Sequence, residues 1–203
     1  MPSQIKFIYL ASQSPRRRQL LEQLGVRHEL LLADADEDAE SLEAVLPGEA
    51  PTAYVRRVTR LKLEAAVARL KKRKLPPAPV LCSDTTVALG RTIYGKPENP
   101  ADAVRMLKDL SGTTHRVLTA VAVQHGARQF EDLSVSRVTF AAMTPAQVRA
   151  YVAGGEPMGK AGAYAVQGSV AMHIRQISGS YSGIMGLPLH ETSMLLRAAG
   201  LKI

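Results

Sequence analysis

The chain has a single cysteine, Cys82, among 203 residues, and no tryptophan at all. A lone thiol builds no internal disulfide framework and suits a reducing compartment, so a cytoplasmic protein is expected. Aromatic residues are only 4% of the sequence, little material for the stacking platforms that read single-stranded nucleic acid. No apolar run approaches the roughly 20 residues that span a bilayer, and the opening "MPSQIKF" has no signal-peptide core. The five histidines form neither an H-E-x-x-H pattern nor a Cys/His cluster, which argues against a zinc site. G-x-S-x-G is absent too, and with it the serine nucleophile of the α/β-hydrolases. "GGEPMGKA", residues 154–161, imitates a P-loop but ends in alanine where Mg²⁺ needs a hydroxyl, and Pro157 removes a cradle N–H.

Carboxylates are the other shortage. Eighteen acidic residues face twenty-six lysines and arginines, a formal net charge of +8. That excess favours an anionic partner: nucleic acid, a membrane surface or a nucleotide. Hydrophobic residues at 46% are ordinary for a globular protein, and the length suffices for one well-buried core or two small lobes around a cleft.

The order of elements is mixed. "KFIYLAS" reads as a strand leading into a helix from Pro15 to about Leu24, stopped by Gly25. "VRHELLLADADEDAE" reads as a strand running into an acidic segment, and a helix over roughly Thr52 to Lys74 is expected to bury Val58, Leu61, Ala65 and Ala68. "VLCSDTTVAL" is a buried strand, and Asn99 caps a helix from Pro100 to near Gly112. "RVLTAVAVQ" and "LSVSRVTFAAM" are two strands joined through "HGARQFED". Thr144-Pro145 starts a short helix, residues 154–168 form a glycine-rich loop, "VAMHIRQI" is a strand, and a last helix runs from about Leu189 to Ala199. There is no repeat and no low-complexity tract, so one α/β (mixed α+β) unit over residues 1–203, with two lobes, is expected.

Four features carry candidate chemistry. In "LASQSPRRRQLL" the helix start stacks Arg16, Arg17 and Arg18 where the dipole already disfavours cations by some tenths of a kcal/mol each. A solvated helix start explains most such runs; the placement against the dipole also makes sense if a polyanion docks there, and the motif by itself does not decide between them. Free N–H groups, the hydroxyls of Ser12 and Ser14 and the guanidinium forks then make a phosphate cradle. Asp84 interrupts an otherwise apolar strand; it is either bonded to backbone amides, or a general base or metal ligand at the lip of the sheet. Lys62, one position off its helix's apolar stripe, and Lys96, in the turn "YGKPEN", are surface lysines or reach a cleft. Asp36 and Glu37 belong to an acidic loop that is either merely exposed or binds metal, since Mg²⁺ prefers one or two carboxylates plus phosphate oxygens.

In order, "LASQSPRR", "SDTTV", "GKPEN", "LSGTTHRVLTAV", "KAGAYAVQG" and "GSYSGIMGLPL" resemble the Maf family of nucleotide pyrophosphatases, also called septum formation inhibitors, over nearly the whole chain. The resemblance implies an inosine-triphosphatase-like fold: an elongated mixed sheet and two lobes around a central cleft. It implies hydrolysis of a nucleoside triphosphate to the monophosphate plus pyrophosphate, with a divalent cation, Mg²⁺ or Mn²⁺. Asp84 then matches the proton acceptor, Ser12, Arg17, Lys62 and Lys96 match phosphate contacts, and Glu37 matches an acidic residue near the metal. Arg16, Thr85 and Gln167 match the positions that mark the dTTP/UTP branch, where the 7-methyl-GTP branch would show Trp, Gln and Glu. Gly159 stands where the family commonly has an acidic residue, which removes a partner from Lys160, and Ser83 replaces the usual alanine. The family also suggests a homodimer. The rival readings are a non-catalytic nucleotide- or nucleic-acid-binding regulator of septum formation, and a 7-methyl-GTP pyrophosphatase. The first leaves a carboxylate inside a strand unexplained.

Overall fold

A computed structural model of the chain describes residues 5–34, 37 and 41–203. Seven strands form one mixed sheet: β1 (Ile8–Leu10), β2 (His28–Leu30), β3 (Val80–Leu89), β4 (Thr92–Tyr94), β5 (Thr114–His125), β6 (Arg128–Phe140) and β7 (Ile174–Ser178). The order is β2-β1-β3-β5-β6-β7, with β4 also on β3. β1 pairs parallel with β2 and β3, and the remaining pairs are antiparallel. Among the described residues six α-helices accompany it: α1 (Pro15–Gln23), α2 (Pro51–Lys72), α3 (Pro100–Leu110), α4 (Pro145–Ala153), α5 (Tyr181–Met185) and α6 (Leu189–Ala198). The expected α/β class with a mixed sheet is what the chain adopts. Among the described residues no helix is long and apolar enough to cross a membrane.

Helix starts follow their local signals. Asn99 accepts from Asp102 N ahead of α3, and Thr144 with Gln147 closes a capping box ahead of α4. Ser14 holds the N-cap position of α1, but its hydroxyl makes no cap bond. It is left facing the cleft.

Three expectations need correction. The buried stripe of α2 is Tyr54, Val55, Val58, Thr59, Leu63, Ala66 and Arg69, whereas Leu61 and Ala65 are half-buried and Ala68 is exposed. Thr59 satisfies its hydroxyl on Val55 O, and Arg69 buries its guanidinium on Leu31 O and Glu37; polar side chains that find partners can take core positions. Lys62 therefore sits within the inward-facing side, a turn from Val58 and Ala66. "HGARQFED" is not a loop: β5 and β6 pair down to His125↔Arg128, leaving Gly126-Ala127 as a two-residue turn. Gly126 supplies φ +60 at its first position, as a type II′ turn requires. In "VAMHIRQI" only Ile174 onward is strand; residues 169–173 form a 3₁₀ turn.

Strand β3 organises the molecule through its two-residue period. Cys82 and Ala88 pack toward α2 with Leu63, Ala66, Val55 and Val58. Leu81 and Val87 point to the other face, Leu81 into a cluster with Leu20, Leu21 and Leu196. Val87 enters a cluster with Leu107, Leu110, Phe140 and Tyr164. Along its outer edge β1 covers only Val80 and Leu81, and β4 only Val87 to Leu89. Between them, over Cys82 to Thr86, the edge has no strand partner. Side chains from both faces meet at that gap.

Candidate active site

A cleft of about 750 Å³ opens at the gap, within the size range of small-ligand sites. Among the described residues six cationic side chains and three carboxylates line it: Arg16, Arg17, Lys62, Arg69, Lys96 and Lys160 against Glu37, Glu43 and Asp84.

Asp84 lies on the α2 face of β3 and is buried, 8% exposed. Lys62, reaching from α2, donates to its Oδ1 at 2.5 Å. The same Nζ donates to Glu43 Oε1 at 2.6 Å, and Lys96 donates to Glu43 Oε2 at 3.0 Å. Burial alone would lower the Lys62 pKa, but the Asp84 and Glu43 carboxylates outweigh it and raise it. Burial likewise works to raise the Glu43 pKa, and the two ammonium groups bring it below the ordinary value. Glu37 stands apart from this group: Arg69 forks onto its two oxygens at 2.8 and 2.5 Å and draws its carboxyl down to about 2. Asp36 lies outside the described residues.

Thr85, on the opposite face of β3, begins a hydrogen-bond chain. Thr119 Oγ1 donates to Gly183 O at 2.7 Å. With its one proton spent, it accepts from Thr85 Oγ1 at 2.9 Å. Arg17 is locked beside them: Nε donates to Gly186 O at 2.7 Å and Nη1 to Ser12 Oγ at 3.2 Å. Ser83 Oγ donates to the same Gly186 carbonyl at 2.9 Å. Gly186 itself needs to be glycine: its φ is +115, and a Cβ there would stand 3.4 Å from Arg17 Nε. This is how "LASQSPRR", "SDTTV" and "GSYSGIMGLPL" converge although the first and last are far apart in sequence.

Arg16, Arg17 and Lys160 have no carboxylate within ion-pair distance among the described residues. Burial lowers the pKa of Arg16 and of Arg17, with the Asp84 charge partly offsetting it for Arg17. Lys160 is lowered by burial and by Arg16, with the Glu156 charge partly offsetting them; Gly159 before it supplies no counter-charge. The loop carrying Lys160 is pinned tightly. Gly162 N donates to Gly95 O at 3.0 Å, and a Cβ on Gly162 would lie 2.8 Å from the Val87 side chain.

Of the residues singled out from sequence, the structure gathers Ser12, Arg16, Arg17, Glu37, Lys62, Asp84, Thr85 and Lys96 around one cleft. Gln167 is exposed and outside the cleft lining. Glu43 and Arg69 escaped sequence reasoning. Arg69 was hidden in a basic helix tail, and Glu43 in "SLEAVLPGEA" carries no local signal.

A strand-borne carboxylate held by lysine, at the foot of a cleft ringed by unpaired arginines and lysine, defines an α/β protein built to take a polyanionic small molecule. The chain belongs to the Maf-like protein family, whose model matches residues 7–199. It is 74% identical over 197 residues to a protein of Polaromonas sp. (strain JS666) named dTTP/UTP pyrophosphatase, covering 97% of this chain and 98% of that one. A protein of Albidiferax ferrireducens with the same name is 69% identical over 198 residues, covering 98% of this chain and 99% of that one. Among solved structures, the Staphylococcus aureus Ham1 protein is similar at 12% identity and a TM-score of 0.46, covering 95% of this chain and 97% of that one.

Proposed function

We propose that this protein is a dTTP/UTP pyrophosphatase, releasing the nucleoside monophosphate and pyrophosphate, with residues 1–203 acting as one two-lobed domain. The observation that carries the reading is the trio Arg16, Arg17 and Lys160 around the cleft that holds Asp84, with no carboxylate within ion-pair distance of them among the described residues. Partly desolvated cations with no carboxylate bound directly to them are costly unless an anion completes them. Phosphate does so, and it also answers why arginines crowd a helix N-terminus. The names of the close relatives point to the same chemistry.

In this reading Ser12, Arg17, Lys62 and Lys96 orient the triphosphate, and Arg16, Thr85 and Gln167 serve base selection, Gln167 from the cleft's surroundings. Asp84 accepts the proton of the water that attacks the α-phosphorus. The bond from the α-phosphorus to the bridging oxygen breaks, and pyrophosphate leaves with that oxygen. Positioning and charge neutralisation supply most of the acceleration, as in phosphoryl transfer generally.

Among the described residues no three His, Cys, Asp or Glu side chains gather as a ready-made metal cage. Glu37 and Glu43 line the cleft, and one or two protein carboxylates suit Mg²⁺ or Mn²⁺ brought in on phosphate oxygens. Glu37 would hold it, its carboxylate oriented by the Arg69 fork as ligating carboxylates commonly are. The ion, when bound, neutralises charge on the phosphates.

The test is pyrophosphate release from dTTP, UTP and 7-methyl-GTP with Mg²⁺ or Mn²⁺, for wild type and Asp84→Asn. Turnover of dTTP and UTP that falls on the order of a hundred- to ten-thousand-fold in the variant is expected. Turnover of 7-methyl-GTP alone would overturn the branch, and no turnover of any nucleotide would overturn the enzyme.

A further inference from the structure

Lys62 and Lys96, the two lysines given to phosphate, are already occupied by one carboxylate. Glu43 Oε1 accepts from Lys62 Nζ at 2.6 Å, and Oε2 from Lys96 Nζ at 3.0 Å. The backbone carrying Glu43 is tied down. Tyr54 Oη donates to Glu43 O at 2.9 Å, and Arg57 Nη2 donates to Ala44 O at 2.8 Å. Arg57 also grips both oxygens of Glu49 at 2.7 Å. A carboxylate tethered this way faces the lysines at high effective concentration. An anion that takes the N–H groups Glu43 holds has to displace it, whereas Arg16, Arg17 and Lys160 have no carboxylate within ion-pair distance among the described residues.

We propose that Glu43 is a specificity-determining residue that competes with phosphate groups for Lys62 and Lys96, so that only a ligand carrying several phosphates engages both sets of cations. The inference rests on the reading of the cleft as a triphosphate site. A single phosphate makes its charge-assisted bonds at the open cations and has nothing left with which to dislodge Glu43. A triphosphate anchors on those cations, and its remaining phosphates exchange with the Glu43 carboxylate. Only the side chain has to rotate; the backbone stays on Tyr54 and Arg57. After cleavage each product keeps part of those contacts, and the returning carboxylate favours release.

The test is calorimetric titration of inorganic pyrophosphate and tripolyphosphate, in EDTA at constant ionic strength, into wild type and Glu43→Gln, with dTTP turnover measured in parallel. Glutamine keeps the chain length and removes the charge. Both probes are expected to bind the variant about tenfold more tightly, the size of one lost charged competitor, and Lys96→Met in that background removes part of the gain, the part due to Lys62 remaining. Tyr54→Phe, which loosens the tether, tightens both by about two- to fourfold. Equal or weaker binding in Glu43→Gln overturns the inference and makes Glu43 a residue that merely holds the lysines in place. If wild type turns over dTTP while that result is obtained, the pyrophosphatase reading stands alone; wild type that neither binds the probes nor turns over dTTP overturns both.

Discussion

Lys62 joins Asp84 through an Nζ–Oδ1 contact of 2.5 Å that spans the gap between helix α2 and strand β3. The pair is mostly enclosed, with 21% of the lysine side chain and 11% of the aspartate exposed. This contact fixes where the carboxylate points at the one place along β3 where the sheet edge is open. A buried carboxylate held by a single strong donor is also vulnerable, and the first prediction follows from that.

Lys62→Met strands the Asp84 charge. Losing a hydrogen bond to a charged group costs about 1.5–3 kcal/mol, and an expected loss of about 2 kcal/mol is readable from urea denaturation. In an Asp84→Asn background the same change should cost less than half as much, because the Asp84 charge is no longer there to be stranded and Glu43 keeps Lys96. Identical costs in both backgrounds would show that the two side chains do not act as a pair.

Arg17 uses its fork rather than its charge alone. Its Nε and Nη1 are committed to Gly186 O and Ser12 Oγ, Nη2 reaches Thr85 Oγ1 only at 3.5 Å, and the side chain lines the cleft. Arg17→Ala should weaken a non-hydrolysable dTTP analogue by about tenfold or more and dTMP by much less. Arg17→Lys should recover only part, since a compact ammonium lacks the planar fork that spans Gly186 O and Ser12 Oγ. Equal losses for triphosphate and monophosphate would take Arg17 out of the phosphate cradle.

Much of this was legible in the sequence because it rests on local rules. The strand β3 matches "VLCSDTTVAL" residue for residue, since an apolar run bounded by proline and glycine admits few alternatives. Asn99-Pro100 and Thr144-Pro145 mark helix starts through short-range capping chemistry. Asp84 stood out because a lone acid in such a strand conflicts with its surroundings. What stayed hidden depends on partners far away in the chain. The buried stripe of α2 was misplaced because Arg69 reads as a surface residue until Leu31 O and Glu37 are seen to satisfy it. Glu43 could not be distinguished from other acids, since its importance comes from Lys62, nineteen residues on, and from Lys96. Gln167 was assigned by motif, and motif position does not say which way a loop residue faces.

The loop at residues 159–168 stores conformational demand that one substitution would expose. Gly162 has φ +69, and a side chain there would enter Val87 at 2.8 Å. Gly162→Ala carries both a backbone penalty of about 1 kcal/mol and an overpacking cost of about 1–3 kcal/mol. A loss of about 2–4 kcal/mol is expected in thermal or urea unfolding, and Val87→Ala should return part of it by vacating the contested volume. A double variant no more stable than Gly162→Ala would place the whole cost in the backbone.

His115 sets an acid limit to the fold. It is 1% exposed, with Nε2 2.8 Å from Tyr164 Oη and the Phe140 ring edge-on at 5.0 Å. Nδ1 is buried with no hydrogen-bond partner among the described residues, and burial pushes the imidazole pKa down to about 4. In the unfolded chain the same ring protonates near the ordinary 6.5. Between those values the unfolded state holds more protons, so stability is full above about pH 6.5 and falls as the pH drops toward 4. A separation of this size corresponds to about 3 kcal/mol at the acid end. Tyr164 lines the cleft, so protonation also threatens the loop that presents Lys160. Urea denaturation of wild type and His115→Gln from pH 7 to pH 4 separates this term from the titration of surface carboxylates. The variant starts less stable but should lose about 3 kcal/mol less across that range, because glutamine takes no proton. Parallel losses in the two proteins would mean that another group governs acid unfolding.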